Sequence, residues 1–154
     1  TITLSGLLVG VRRGSADRGN TLKFDLIDRV TRRDEASLSA VKNVSAAEEY
    51  LGDHFPGFPI LPGVMMLETL VQAARHFTSN IADPPPRPLV ISQVRNVKYA
   101  GMVRPGQTLE VTVTLRKRDG QAYDFQGVGK VGDQVAVQGR FSLAPLSDPF
   151  EQVA

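Results

Sequence analysis

Apolar and polar positions alternate most clearly in the second half of the chain. Leu109, Val111, Val113 and Leu115 are separated by Glu110, Thr112 and Thr114, the period-two pattern of a half-buried strand. Residues 123–131 and 135–143 continue it, and Gly132-Asp133 between them predicts a hairpin turn. Residues 89–94 are apolar and β-branched, and within residues 37–44 Leu38 and Ala40 alternate with polar partners. Residues 21–30 carry apolar side chains at 22, 24, 26, 27 and 30, a run too short to separate strand from helix. Four or five consecutive β segments joined by short turns imply an antiparallel sheet.

A different period appears at residues 64–77. This stretch is rich in Met, Leu and Ala, contains neither Pro nor Gly, and is long enough for a helix. Pro62 suits its first turn, where the missing N–H costs nothing. The stretch is apolar almost all the way round, so the helix is expected to be buried on most sides. Its first polar residues, Glu68 and Gln72, stand at i and i+4 on one face. Residues 53–63 hold three prolines and two glycines in eleven positions and read as ordered loop, as do the prolines of residues 84–88. One buried helix and one large antiparallel sheet give an α+β domain with the sheet wrapped on the helix. No repeat or linker divides the chain, so a single domain over residues 1–154 is expected.

Composition narrows the chemistry. The absence of cysteine excludes disulfides, thiolate metal sites and cysteine nucleophiles, and fits a reducing compartment. No apolar run approaches the roughly 18 residues a membrane span needs, and the first residues lack the charged and apolar regions of a signal peptide; a cytoplasmic location is expected. A net charge of +2 gives no case for nucleic acid. No Gly-rich phosphate loop and no His/Asp/Glu cluster of metal-ligand spacing occurs, so neither cofactor nor metal is expected.

The candidate chemistry lies where the Pro/Gly loop meets the helix. His54 alone is an ordinary structural or surface residue. Glu68 admits two readings: an acid buried for chemistry, since glutamate is almost never buried unless paired or functional, or part of a solvated stripe with Gln72 on a half-exposed helix. The backbone N–H groups of Gly63 and Val64 at the helix start are unpaired first-turn donors, and the helix dipole makes that end a site for developing negative charge. Base, acid and oxyanion donors are the parts needed to remove a proton beside a thioester carbonyl and expel a β-hydroxyl.

The stretch from His54-Phe55-Pro56-Gly57 through Pro59-Ile60-Leu61-Pro62-Gly63-Val64-Met65-Met66-Leu67-Glu68 to Gln72-Ala73-Ala74 closely resembles the signature of the FabZ/FabA-type β-hydroxyacyl-acyl-carrier-protein dehydratases. Phe24 to Val30, Val41-Lys42-Asn43-Val44 and Arg104-Pro105-Gly106-Gln107 resemble further segments of that family, so that roughly residues 20–145 are covered. The resemblance implies a hotdog fold, a curled antiparallel sheet around one long helix. It implies that His54 takes the C2 proton, that Glu68 protonates the departing hydroxyl, that Gly63 and Val64 offer N–H groups to the thioester oxygen, and that Gln72 holds the Glu68 carboxyl. Phe55, Pro59, Ile60, Leu61 and Met65 are implied to line the acyl tunnel. Glutamate at 68 resembles the FabZ branch, which dehydrates without isomerising.

The resemblance further implies an acyl carrier protein as partner and a homodimer with composite sites, the acid of one subunit meeting the histidine of the other; the FabZ branch is often a trimer of dimers. Arg95, Lys98 and Arg104 are candidates for steering the acidic carrier. Two departures stand out: Asp53 replaces the glycine usual before the histidine, and residues 97–103 lack the usual aromatic-basic pattern. A thioesterase or dehydratase-isomerase on the same fold, or a non-catalytic acyl-binding module, are the alternatives. Asp28-Arg29 is read as a structural ion pair, and His76 as a packing residue near the helix end.

Overall fold

The computed structural model describes residues 25–45 and 60–146. Its elements are β1 (Arg29–Arg33), β2 (Ser37–Asn43), α1 (Gly63–Thr78), β3 (Leu89–Tyr99), β4 (Thr108–Asp119), β5 (Ala122–Val131) and β6 (Gln134–Pro145). The strands form one antiparallel sheet of order β1-β2-β4-β5-β6-β3. Sequential hairpins generate most of this order. Only β3, which follows the helix, crosses to the far edge and pairs with β6.

The alternation along each strand decides which face meets the helix. Leu38 and Ala40 of β2, Leu109, Val111 and Val113 of β4, Tyr123 and Phe125 of β5, and Val137, Phe141 and Leu143 of β6 are buried with Met66, Leu70, Val71, Ala73, Ala74 and Phe77 of α1 in one cluster. Phe77 meets Phe125 edge-on with ring centroids 6.0 Å apart, and Phe125 stacks on Phe141 at 5.7 Å. One helix lying across a six-stranded antiparallel sheet is the hotdog arrangement.

Three local features differ from the pattern reading. Pro62 is the N-cap of α1, with ψ of 145°, and Gly63 is the first helical residue. Residues 25–28 are irregular although Leu26 and Ile27 are buried, and strand pairing starts at Arg29. Asp28 accepts the backbone N–H of Asn43, which ties this segment to the end of β2. β3 runs well beyond its apolar start to Tyr99. Its outer half is polar because it is an edge strand, and its pairing with β6 slips between Arg95 and Lys98, where Asn96 takes a φ of 53°.

The segment between β3 and β4 closes a bracket. The Leu61 N–H donates to Val103 O at 2.7 Å, the Val44 N–H to Gln107 O at 3.0 Å, and the Gly106 N–H to Val44 O at 2.8 Å. Val44 and Leu61 flank the chain that carries His54, so one turn holds both approaches to it. His54 itself, with Asp53, Phe55 and Pro59, lies outside the described residues.

Candidate active site

The first donors of α1 lie ahead of its intrahelical bonds. Intrahelical bonding begins with the Met65 and Met66 N–H groups, which donate to Pro62 O at 2.9 and 3.2 Å. Among the described residues, no backbone carbonyl takes the N–H of Gly63 or Val64. The first turn of the helix contains no acidic residue, so α1 itself does not offset the positive end of its dipole. Gly63 has a second consequence. A Cβ at this position would stand 3.1–3.2 Å from Cε1, Cδ1 and Cζ of Tyr99, so the ring at the end of β3 lies against the helix start. Tyr99 keeps half of its surface exposed.

One turn further along, Glu68 is 2% exposed and Gln72 1%. The two residues are therefore not a wet stripe; the burial resolves the two sequence readings toward a paired internal acid. Gln72 Nε2 donates to Glu68 Oε2 at 3.2 Å, while Gln72 Oε1 accepts the Leu26 N–H at 2.7 Å. The amide thus spends its acceptor on the N-terminal segment, and its donor group is turned to the carboxyl. Burial pushes the Glu68 carboxyl above its ordinary value; the hydrogen bond from Gln72 and the charge of Arg75 pull against that rise. A carboxyl that keeps its proton more readily than usual is suited to act as an acid.

Arg75 was missed in the sequence. Its Nε donates to Leu89 O at 2.6 Å and its Nη1 stands 3.7 Å from Glu68 Oε2. Burial lowers its pKa to about 10, against the opposing pull of Glu68. The signal was present as spacing: Glu68, Gln72 and Arg75 at i, i+4 and i+7 share one helical face. Tyr99 gave no such signal, because its contact with Gly63 joins residues 36 positions apart in the chain.

Of the tunnel residues, Leu61 and Met65 are buried and Ile60 is half-buried, all beside the helix start. Met66 is also core. The three basic candidates meet different neighbours. Arg95 and Arg140 both bind Asp124, at 3.3 and 3.0 Å. Lys98 lines a hollow of about 370 Å³ with Asn96, Gln126, Gln138, Gly139 and Arg140. Arg104 belongs to the β3–β4 bracket, where its N–H donates to Gln107 Oε1 at 2.8 Å. His76 is half-buried near the end of α1, its carbonyl accepting from Ser79 and Asn80. No helix among the described residues is long and apolar enough to cross a membrane.

Fold and buried acid together define the class, a hotdog domain with an acid–amide pair on its central helix. The chain matches the ApeI-like family, described as ApeI dehydratase, over residues 30–140. It is 30% identical over 129 residues to a 3-hydroxyacyl-[acyl-carrier-protein] dehydratase FabZ of Caulobacter sp. (strain K31), covering 82% of this chain and 79% of the relative. Among solved structures, the dehydratase heterocomplex ApeI:P from Xenorhabdus doucetiae superposes with a TM-score of 0.65 at 18% identity, over 83% of this chain and 86% of that one. The fluoroacetyl-CoA thioesterase FlK superposes at 0.62 with 16% identity, over 75% and 89%. At such identities the two structures establish the fold alone. The chain belongs to the ApeI-like dehydratases, within the FabZ-type dehydratase family, and is a hydro-lyase.

Proposed function

We propose that this protein is a (3R)-3-hydroxyacyl-[acyl-carrier-protein] dehydratase of fatty-acid biosynthesis. The observation that carries the reading is Glu68: an acid buried in an apolar helix, held by Gln72, one turn beyond two N–H donors that no backbone carbonyl takes among the described residues. The thioester oxygen accepts the N–H groups of Gly63 and Val64, which stabilise the charge that grows on it as the C2 proton leaves. His54 takes that proton, and the C2–H electron pair becomes the C2=C3 bond. The C3–O bond breaks, Glu68 gives its proton to the departing hydroxyl, and the products are water and a trans-2-enoyl thioester. The acyl chain runs along Phe55, Pro59, Ile60, Leu61 and Met65. Atoms balance without a cofactor or metal.

The partner in this reading is an acyl carrier protein, and the reaction takes place in the cytoplasm. The assembly is a homodimer whose composite sites join Glu68 of one subunit to the histidine loop of the other, with a trimer of dimers as the larger form. The edge strand β3, with Val94 and half of Tyr99 exposed, supports a partner on that side.

Incubation with a ladder of (3R)-3-hydroxyacyl carrier-protein substrates is expected to raise enoyl absorbance, with His54→Ala and Glu68→Gln inactive. Release of free acid and thiol would assign the thioesterase alternative, and a cis-3-enoyl product the isomerase. Carrier-protein binding without turnover at any chain length would leave only the acyl-binding module and overturn the proposal.

A further inference from the structure

Arg75 is a buried cation that the reaction scheme leaves without a task. Its side chain is 14% exposed, yet Nη1 and Nη2 are both shielded from solvent and neither makes a hydrogen bond among the described residues. Buried guanidinium nitrogens without partners carry a desolvation penalty, so their retention calls for a reason. The fork is fixed from behind, because Nε donates to Leu89 O at 2.6 Å where β3 begins. From that anchor Nη1 faces Glu68 Oε2 at 3.7 Å, too far for a hydrogen bond. A closure of about 0.9 Å reaches the length of a charge-assisted bond.

The surroundings make Arg75 the ionic partner of that acid among the described residues. Other titratable groups turned toward the helix are Lys42 of β2, Tyr99 of β3 and Tyr123 of β5, with His76 on α1 itself. The inward positions of β4 and β6 are apolar: Leu109, Val111, Val113, Val137, Phe141 and Leu143. In the segment before β1, Asp25 and Asp28 are exposed. The only ion pair formed with Glu68 among these residues is that with Arg75.

We propose that Arg75 is a positioning residue for the acid: it stands off the protonated Glu68 and closes on the carboxylate left when the proton goes to the departing hydroxyl. Gln72 brings no charge to the acid: its amide accepts the Leu26 N–H and donates to Glu68 Oε2 as a neutral group. A carboxylate formed in an apolar helix interface needs a counter-charge at the moment it forms. Arg75 supplies it without occupying the site beforehand. This role rests on the proposed part of Glu68 as the acid.

The experiment is a carbon-13 NMR titration of the Glu68 carboxyl in the ligand-free protein, with Glu68→Gln assigning the signal. Removing the charge in Arg75→Met is expected to raise the Glu68 midpoint by about one to three pH units. Arg75→Lys, which keeps the charge, is expected to stay within about half a unit of the parent. Arg75→Gln carries the same expectation as Arg75→Met should the methionine variant not fold. In turnover of a 3-hydroxyacyl carrier-protein substrate, Arg75→Met is expected to lower kcat about 10- to 100-fold with KM changed less than about threefold. The alkaline limb of its pH profile moves up with the NMR midpoint. An unchanged Glu68 midpoint, or the same shift in Arg75→Lys as in Arg75→Met, overturns the proposal. Absence of turnover in the parent protein overturns the proposed function instead, and the NMR titration still reads the pairing.

Discussion

Tyr99 sits against Gly63, with three of its ring carbons within 3.2 Å of where a Cβ at 63 would be. The contact ties the last residue of the edge strand to the first residue of the helix. It also leaves the Gly63 and Val64 N–H groups beside an aromatic wall that is half open to solvent. Gly63→Ala is therefore expected to push the Tyr99 ring outward and shift these donors relative to the substrate. A loss in kcat/KM of about 10- to 100-fold is expected, the scale of disturbing an oxyanion contact. In a Tyr99→Ala background the same alanine has room, and its effect shrinks; a double-mutant cycle measures the coupling. Additive losses would separate Tyr99 from the donors.

Gln72 joins the segment before β1 to the acid of α1. Its Oε1 accepts the buried Leu26 N–H at 2.7 Å, and its Nε2 donates to Glu68. Gln72→Leu fills similar space but leaves that N–H with no acceptor, at a cost of about 1–3 kcal/mol. Urea unfolding is expected to show a lower midpoint with an unchanged slope. A midpoint equal to the parent's would mean that Leu26 finds another acceptor.

The fold was legible because burial imposes period. Leu109, Val111 and Val113 alternate against polar partners, and residues 64–77 lack any breaker, so sheet and helix follow from the hydrophobic effect acting on two geometries. The outer half of β3 was illegible for the same reason: at a sheet edge Arg95, Asn96 and Lys98 need not alternate, and a bulge absorbs the slip. Glu68 and Gln72 were legible as a pair, but whether water reached them was not, because solvation of a helix face depends on what the sheet covers. Arg75 lies about one turn beyond Gln72 on the same face. Its role depends on the Leu89 carbonyl, a backbone atom invisible to residue patterns.

At Gly139 strand β3 leans closely on β6. A Cβ there would lie 2.8 Å from Val97 Cγ2 and 3.0 Å from Val97 Cα. The second distance involves backbone, so rotating a side chain cannot relieve it. Gly139→Ala is expected to destabilise the protein by about 1–3 kcal/mol, the range of overpacking. Because Val97 lies two residues before Tyr99, the variant is also expected to alter Tyr99 fluorescence at temperatures well below unfolding. A stability loss with an unchanged Tyr99 signal would confine the strain to the bulge.

Glu68 ties stability to pH with a definite sign. Burial raises its pKa above the ordinary 4.5, so the folded state holds this proton more tightly than the unfolded chain does. The stability linked to that proton is fully present below about pH 4.5 and is lost as pH rises through the folded value, by about 1.4 kcal/mol for each unit between the two. Glu68→Gln cannot titrate and shows no such loss. Its own offset depends on how Arg75 accommodates a neutral neighbour, but the difference between variant and parent does not hide the slope. Measured by denaturant unfolding at successive pH values from about 4 to 8, that difference is expected to move in favour of Glu68→Gln as pH rises, then to level off above the folded pKa. If it moved the other way, the carboxylate would be the form that the fold prefers. The Gln72 hydrogen bond and the Arg75 charge would then outweigh burial, and Glu68 would not hold the proton that dehydration requires of it.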